Sequence, residues 1–228
     1  MIRKLVFLAV LTAGLVAADF AARAWAESKL AEQAAAYYPP SGASSASIRS
    51  FPFLGRLVVG GDVPGVTLRM ENVQADVLLL SRMDFDLSDV VVDQGELFSG
   101  RVQILDVGAG RIEALVDGSS LARAVGLDVR FTAGEVEVHR NVGGVDVFAR
   151  GRVTLEGNRL RIEPTSVQGA DVPASTFAVS YDIPGVELLP CAAEVRPVPE
   201  GLVISCALED VPPVLVQGVG SARGRAPR

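Results

Sequence analysis

The chain has 228 residues, of which 49% are hydrophobic, 6% aromatic and 21% charged, the composition of a folded globular protein. A net charge of −6 and a pI near 4.9 exclude a nucleic-acid binder with a broad basic face and disfavour adhesion to an anionic membrane by charge alone. One histidine and two cysteines are too few for most zinc and iron–sulfur sites, and no cofactor is expected.

Arg3 and Lys4 precede an uncharged apolar run, Leu5 to Ala18, which Asp19 ends. A basic start before about 7–15 apolar residues describes a secretory signal, whereas a spanning helix needs about 20. Ala24-Trp25-Ala26 supplies a small-x-small site, so residues 1–26 read as a signal peptide cut after Ala26. The alternative is an uncleaved anchor whose helix continues towards Tyr38. No cysteine precedes Cys191, which rules out acylation at an N-terminal cysteine. A cut after Ala26 removes Arg3, Lys4, Arg23 and Asp19, leaving 18 positive against 26 negative groups.

Residues 19–38 are Ala-rich, contain neither Gly nor Pro, and form good helix material that Pro39-Pro40 stops. Ser41 to Ser47 reads as a small polar linker. The chain's 34 valines, 23 glycines and 13 prolines favour many strands joined by tight turns, and from about residue 46 onward it reads as strands almost to its end. A single domain is expected over residues 27–218, with an Arg-rich disordered tail over 219–228.

Local registers follow from composition. Asp117 as N-cap, a short helix to Val125 and Gly126 as its C-terminal stop form one unit. Gly157-Asn158 makes a two-residue hairpin loop that sets Leu155 against Leu160, Val153 against Ile162 and Arg152 against Glu163. Apolar pairs then share one face and the charge pair the other. A four-residue loop at Pro197 to Glu200 sets Leu189, Cys191, Ala193 and Val195 against Leu208, Cys206, Ile204 and Leu202. Opposed Cα atoms lie about 4.5–5.5 Å apart, within reach of a structural disulfide between Cys191 and Cys206. Cys-x-x-Cys redox spacing is absent.

Motifs that would carry catalysis are missing. Glu135, Glu137 and His139 share one strand face opposite Val136 and Val138, which reads as a solvated face and no metal site. Asp84-Phe85-Asp86-Leu87-Ser88-Asp89 opens like a calcium loop but has Asp89 in place of the glycine and Gly95 in place of the bidentate glutamate. It reads as an amphipathic strand with Phe85 and Leu87 inward. No G-x-S-x-G elbow, phosphate loop or G-x-G-x-x-G occurs. Acidic residues are scattered over every exposed face, so carboxylate-based glycan hydrolysis stays open as an alternative.

Ser50-Phe51-Pro52-Phe53-Leu54 is the most unusual local feature: two phenylalanines flank a proline, and Leu57-Val58-Val59 follow. Phe51, Phe53, Leu54, Leu57 and Val58 are the candidate lipid contacts, either as an apolar entrance to a lipid pocket or as a plug in the end of a sheet core.

The export segment runs into Ala26-Glu27-Ser28-Lys29-Leu30-Ala31-Glu32, then Phe51-Pro52-Phe53-Leu54, Arg159-Leu160-Arg161-Ile162-Glu163-Pro164, Glu200-Gly201-Leu202-Val203-Ile204 and Asp210-Val211. In that order these features resemble the LmeA-like phospholipid-binding family of actinobacterial cell-envelope proteins, over about residues 1–215. The resemblance implies an α+β, β-rich fold of lipid-binding, TULIP-like architecture. A long curved antiparallel sheet would pack around the N-terminal helix and hold lipid on its concave side. It also implies an exported, non-enzymatic protein of the cell envelope or periplasm that supports lipid or lipoglycan (mannan) maintenance. The implied partners are phospholipid, the membrane surface and an envelope glycosyltransferase, with no nucleic acid. The rival readings are an envelope scaffold with a filled core and the carboxylate-dependent hydrolase.

Overall fold

The absence of proline before Pro39 lets one helix run unbroken. In the computed structural model, which describes residues 2–37, 42–75, 78–99, 103–169, 172–183 and 191–211, α1 spans Ile2–Tyr37. The apolar run and the Ala/Glu segment are therefore one rod. Its first half projects from the fold, with Leu5, Phe7, Val10 and Leu15 largely exposed, and burial begins at Asp19 and Ala26. The expected tail lies outside the described residues.

The remaining elements, in order, are β1 (Ser44–Ile48), α2 (Phe53–Val59), β2 (Asp62–Ala75), β3 (Leu78–Val92), α3 (Gln94–Phe98), β4 (Ile104–Asp117) and α4 (Gly118–Val125). Then come β5 (Asp128–Phe131), β6 (Val136–Val142), β7 (Val145–Glu156), β8 (Arg159–Gln168), β9 (Val179–Asp182), β10 (Ala193–Val198) and β11 (Gly201–Val211). Among the described residues they build two antiparallel sheets. One has six strands in the order β1-β2-β3-β4-β11-β10; the other has five, β5-β6-β7-β8-β9. The fold is α+β and strand-rich, with curled antiparallel sheets and an N-terminal helix.

The expected linker over Ser41 to Ser47 is corrected: from Ser44 it is an edge strand, with Ser44 opposite Met70 and Ile48 opposite Val66. Small residues with weak strand preference pair here because α1 covers them, an override of propensity by tertiary contact. Ser44 Oγ donates to the Ala31 carbonyl at 3.0 Å, and the Ile48 N–H donates to Glu27 Oε1 at 2.7 Å.

Two buried clusters hold the fold. The first joins the five-stranded sheet to one end of the larger sheet, through Leu78, Val116, Leu121, Val136, Val138, Phe177, Leu202 and Ile204. The second lies at the opposite end, where Ala26, Ile48, Phe53, Leu57, Val63, Val66, Val90, Val107 and Leu208 meet.

The Gly157-Asn158 hairpin has the expected register, Leu155 opposite Leu160 and Arg152 opposite Glu163. The second hairpin departs from expectation by two residues: Ala193 faces Cys206, Val195 faces Ile204 and Val198 faces Gly201. The loop is therefore only Pro199-Glu200. Gly201 makes the tighter turn possible, at φ 152° with its hydrogen where a Cβ would collide with the Val116 carbonyl oxygen. A two-residue slip keeps the same side chains inward. Cys191, just ahead of β10, still reaches Cys206, and the two form a disulfide with Cα atoms 5.8 Å apart. Leu189 lies outside the described residues.

Candidate functional site

Between the two clusters the inward face of the larger sheet is apolar but incompletely covered. One cross-strand row runs Leu68, Phe85, Ile112 and Cys206; its neighbour runs Met70, Met83, Ala114 and Ile204. A third row sets Leu87 between Val66 and Gly110, with Leu208 beyond. Met70, Cys206 and Ile204 are buried. The rest are not: Leu68, Met83, Phe85, Leu87, Ile112 and Ala114 are each half-buried, Leu87 and Ile112 against the second cluster. Gly110 lets the Leu87 and Leu208 methyl groups close over the strand, at 3.0 and 3.2 Å from where a Cβ would stand. The result is a belt of aliphatic, thioether and phenyl surface on a sheet whose backbone polar groups are already paired.

The other face of the same strands is charged and neutralised locally. Arg49 and Thr67 both reach Asp86, at 2.9 and 2.8 Å, and Arg69 and Arg82 both reach Asp84, at 2.6 and 3.0 Å. The segment that began like a calcium loop is thus a strand whose carboxylates engage arginines while Phe85 and Leu87 turn inward. This alternation was legible in the sequence. That Phe85 would meet Leu68 and Ile112 was not, because those partners lie on separate strands.

The five candidate lipid contacts divide. Phe53 and Leu57 are buried at 3% and 2% and fill the second cluster beneath α2; Leu54 is half-buried against it. Phe51 and Val58 face outward, each 61% exposed, beside Val59 at 90%. The Phe51 ring lies 6.2 Å from that of Phe20 on α1. Pro52 supplies no side-chain cap for α2, so Asp19 does so from across the chain, accepting the N–H groups of Phe53 at 3.1 Å and Leu54 at 2.7 Å.

The remaining polar clusters have structural partners. His139 stacks on Phe148 with ring centroids 4.6 Å apart and approaches Asp128 at 3.2 Å, while Glu137 pairs with Arg150. Among the described residues no group of three His, Cys, Asp or Glu is placed to hold a metal ion. An open groove of about 520 Å³ beside α4 has a mixed lining, apolar at Ala122, Val129 and Phe131 and charged at Asp128, Arg130 and Glu200. Asp117 caps α4 as expected, accepting from the Ser120 N–H at 2.8 Å. Its carboxyl is held below the usual range, first by the Ser119 hydroxyl and then by the backbone N–H groups of the cap. Asp182 is lowered likewise by Arg159.

The model of the LmeA-like phospholipid-binding family matches residues 17–207, nearly all of both sheets and the packed half of α1. No curated protein and no solved structure matches the chain. An apolar N-terminal helix of signal or anchor type and a disulfide fit an exported protein. With a strand-rich fold, an inward apolar belt and a match that spans the domain, the chain belongs to the LmeA-like phospholipid-binding family.

Proposed function

We propose that this protein holds a phospholipid acyl chain along the half-buried belt Leu68, Met83, Phe85, Leu87, Ile112 and Ala114, and acts in the cell envelope without catalysing a reaction. The incomplete cover of this belt, between two closed clusters, is the observation that carries the reading. An acidic protein gains little from charge attraction to an anionic bilayer, so affinity must come from buried hydrocarbon. At about 0.8 kcal/mol per CH₂, a chain of about sixteen carbons offers on the order of 10 kcal/mol before ordering costs. The wider role, lipid or lipoglycan (mannan) maintenance beside an envelope glycosyltransferase, rests on the family resemblance.

A phospholipid with a photoreactive group in its acyl chain tests the site. Irradiation and trypsin digestion should label the peptides Met83–Arg101 and Ile112–Arg123. Labelling confined to α1 would remove the belt from consideration and favour a scaffold whose cores are filled by its own side chains.

A further inference from the structure

The geometry points to α1 as a permanent anchor rather than a removable leader, locked to the domain by Asp19, with the outer face of α2 seated in the bilayer surface. This stands apart from the acyl-holding belt and does not depend on it.

Asp19 interrupts an apolar stretch, where a carboxylate without partners is costly. Here it is 6% exposed and accepts both leading N–H groups of α2, which have no other cap. Further along the same unbroken helix, Ala26 is 3% exposed in the second cluster, with Ala22 and Leu30 packed against it. Glu27 accepts the Ile48 N–H of the edge strand β1. A cut after Ala26 would strip the α2 cap, delete a core side chain and leave the new α-amino group on Glu27. The family match also begins at residue 17, ahead of Asp19, so the matched domain includes the cap.

Length then fixes depth. Leu5 to Ala18 rises about 21 Å at about 1.5 Å per residue, and counting back to Ile2, with Arg3 and Lys4 reaching to the head groups, gives about 26 Å against a hydrocarbon core of about 30 Å. The bilayer edge therefore falls at the level of Asp19, where α2 begins. Phe20 and Phe51, 55 and 61% exposed with ring centroids 6.2 Å apart, continue the bare surface of α1, and Val58 and Val59, 61 and 90% exposed, add apolar surface on α2. The occupant that suits this surface is the acyl-headgroup boundary of the membrane that takes up α1. Arg3 and Lys4 mark the cytoplasmic end, placing the disulfide-bonded domain on the outer side.

The full chain, produced in an exporting host with a C-terminal tag, decides both halves. The intact mass of the membrane-bound protein should include residues 1–26, and the protein should resist alkaline extraction. A polypeptide beginning at Glu27 would overturn the anchor. For seating, Val59→Cys carries an environment-sensitive fluorophore, with Arg111→Cys on the opposite sheet face as control; both sites are exposed and the native cysteines are bonded to each other. In vesicles of phosphatidylethanolamine and phosphatidylglycerol containing a shallow doxyl lipid, position 59 should be quenched several-fold more than position 111. Equal quenching at the two positions would overturn the seating. Substitutions in the belt leave both readouts unchanged, so failure here and failure of the acyl-binding reading are separate results.

Discussion

Phe85 and Ile112 lie directly opposite each other on β3 and β4, in the row that ends at buried Cys206, and both remain half-buried. Replacing either by serine removes apolar contact from the belt without emptying a closed core. Phe85→Ser and Ile112→Ser are expected to weaken phospholipid retention at least tenfold, read as acyl-chain photolabelling. The loss of stability should be about 1–2 kcal/mol, below the about 3–5 kcal/mol expected for Phe53→Ala in the filled cluster. Equal lipid loss in all three variants would mean that folding, and not the belt, sets retention.

The Asp19 cap makes a second quantity measurable. Asp19→Ala leaves the two leading N–H groups of α2 without an acceptor and is expected to cost about 1–2 kcal/mol. Limited trypsin digestion should then cut sooner at Arg56, which lies within α2 and is exposed. An unchanged rate at Arg56 would show that α2 is held by Phe53 and Leu57 alone.

The disulfide links residues 15 apart in sequence, and a loop of this length confers about 3 kcal/mol in the chain-entropy account. Cys191→Ser should lower stability by about that much in denaturant titrations. The wild-type mass should also be two daltons below that of the reduced polypeptide, a difference reductant abolishes. A wild-type denaturation curve unmoved by reductant would mean the bond does not form in solution.

Asp117 titrates lower in the folded protein than in the unfolded chain, because the Ser119 hydroxyl and the helix N–H groups favour its charged form. Its contribution to stability is therefore complete above the unfolded carboxylate pKa, about 4, and fades as pH falls through the lower folded value. Asp117→Asn should flatten the acid limb of the stability profile while changing little at pH 7, where asparagine still caps. The same acid limb in both proteins would exclude Asp117 as a contributor.

The sequence carried much of this fold but not its site, and the reason is the range of each signal. The Gly157-Asn158 turn fixed its register because a two-residue loop permits one pairing. Around Cys191 and Cys206 alternation settled which face is inward but not which residues pair, since its period of two cannot detect a slip of two. Phe51 to Val58 looked like one apolar feature; the turn into α2 sent Phe53 and Leu57 inward and Phe51 and Val58 outward. The belt was out of reach, because Leu68, Phe85, Ile112 and Cys206 become neighbours only through the pairing of four strands.

β2, β3 and β4 extend for 14, 15 and 14 residues, where about 5–6 is ordinary. Three strands thread both hydrophobic centres: β3 from Leu78 to Val90, β4 from Val116 to Val107, and β11 from Leu202 to Leu208. Two such centres on separate strands would make two folding units joined by a hinge. Shared strands are expected to couple them, so that opening one end unzips ladder bonds that the other end uses. An acyl chain bound along the span between them is therefore expected to act on both at once, tightening the fold when present and loosening it when gone.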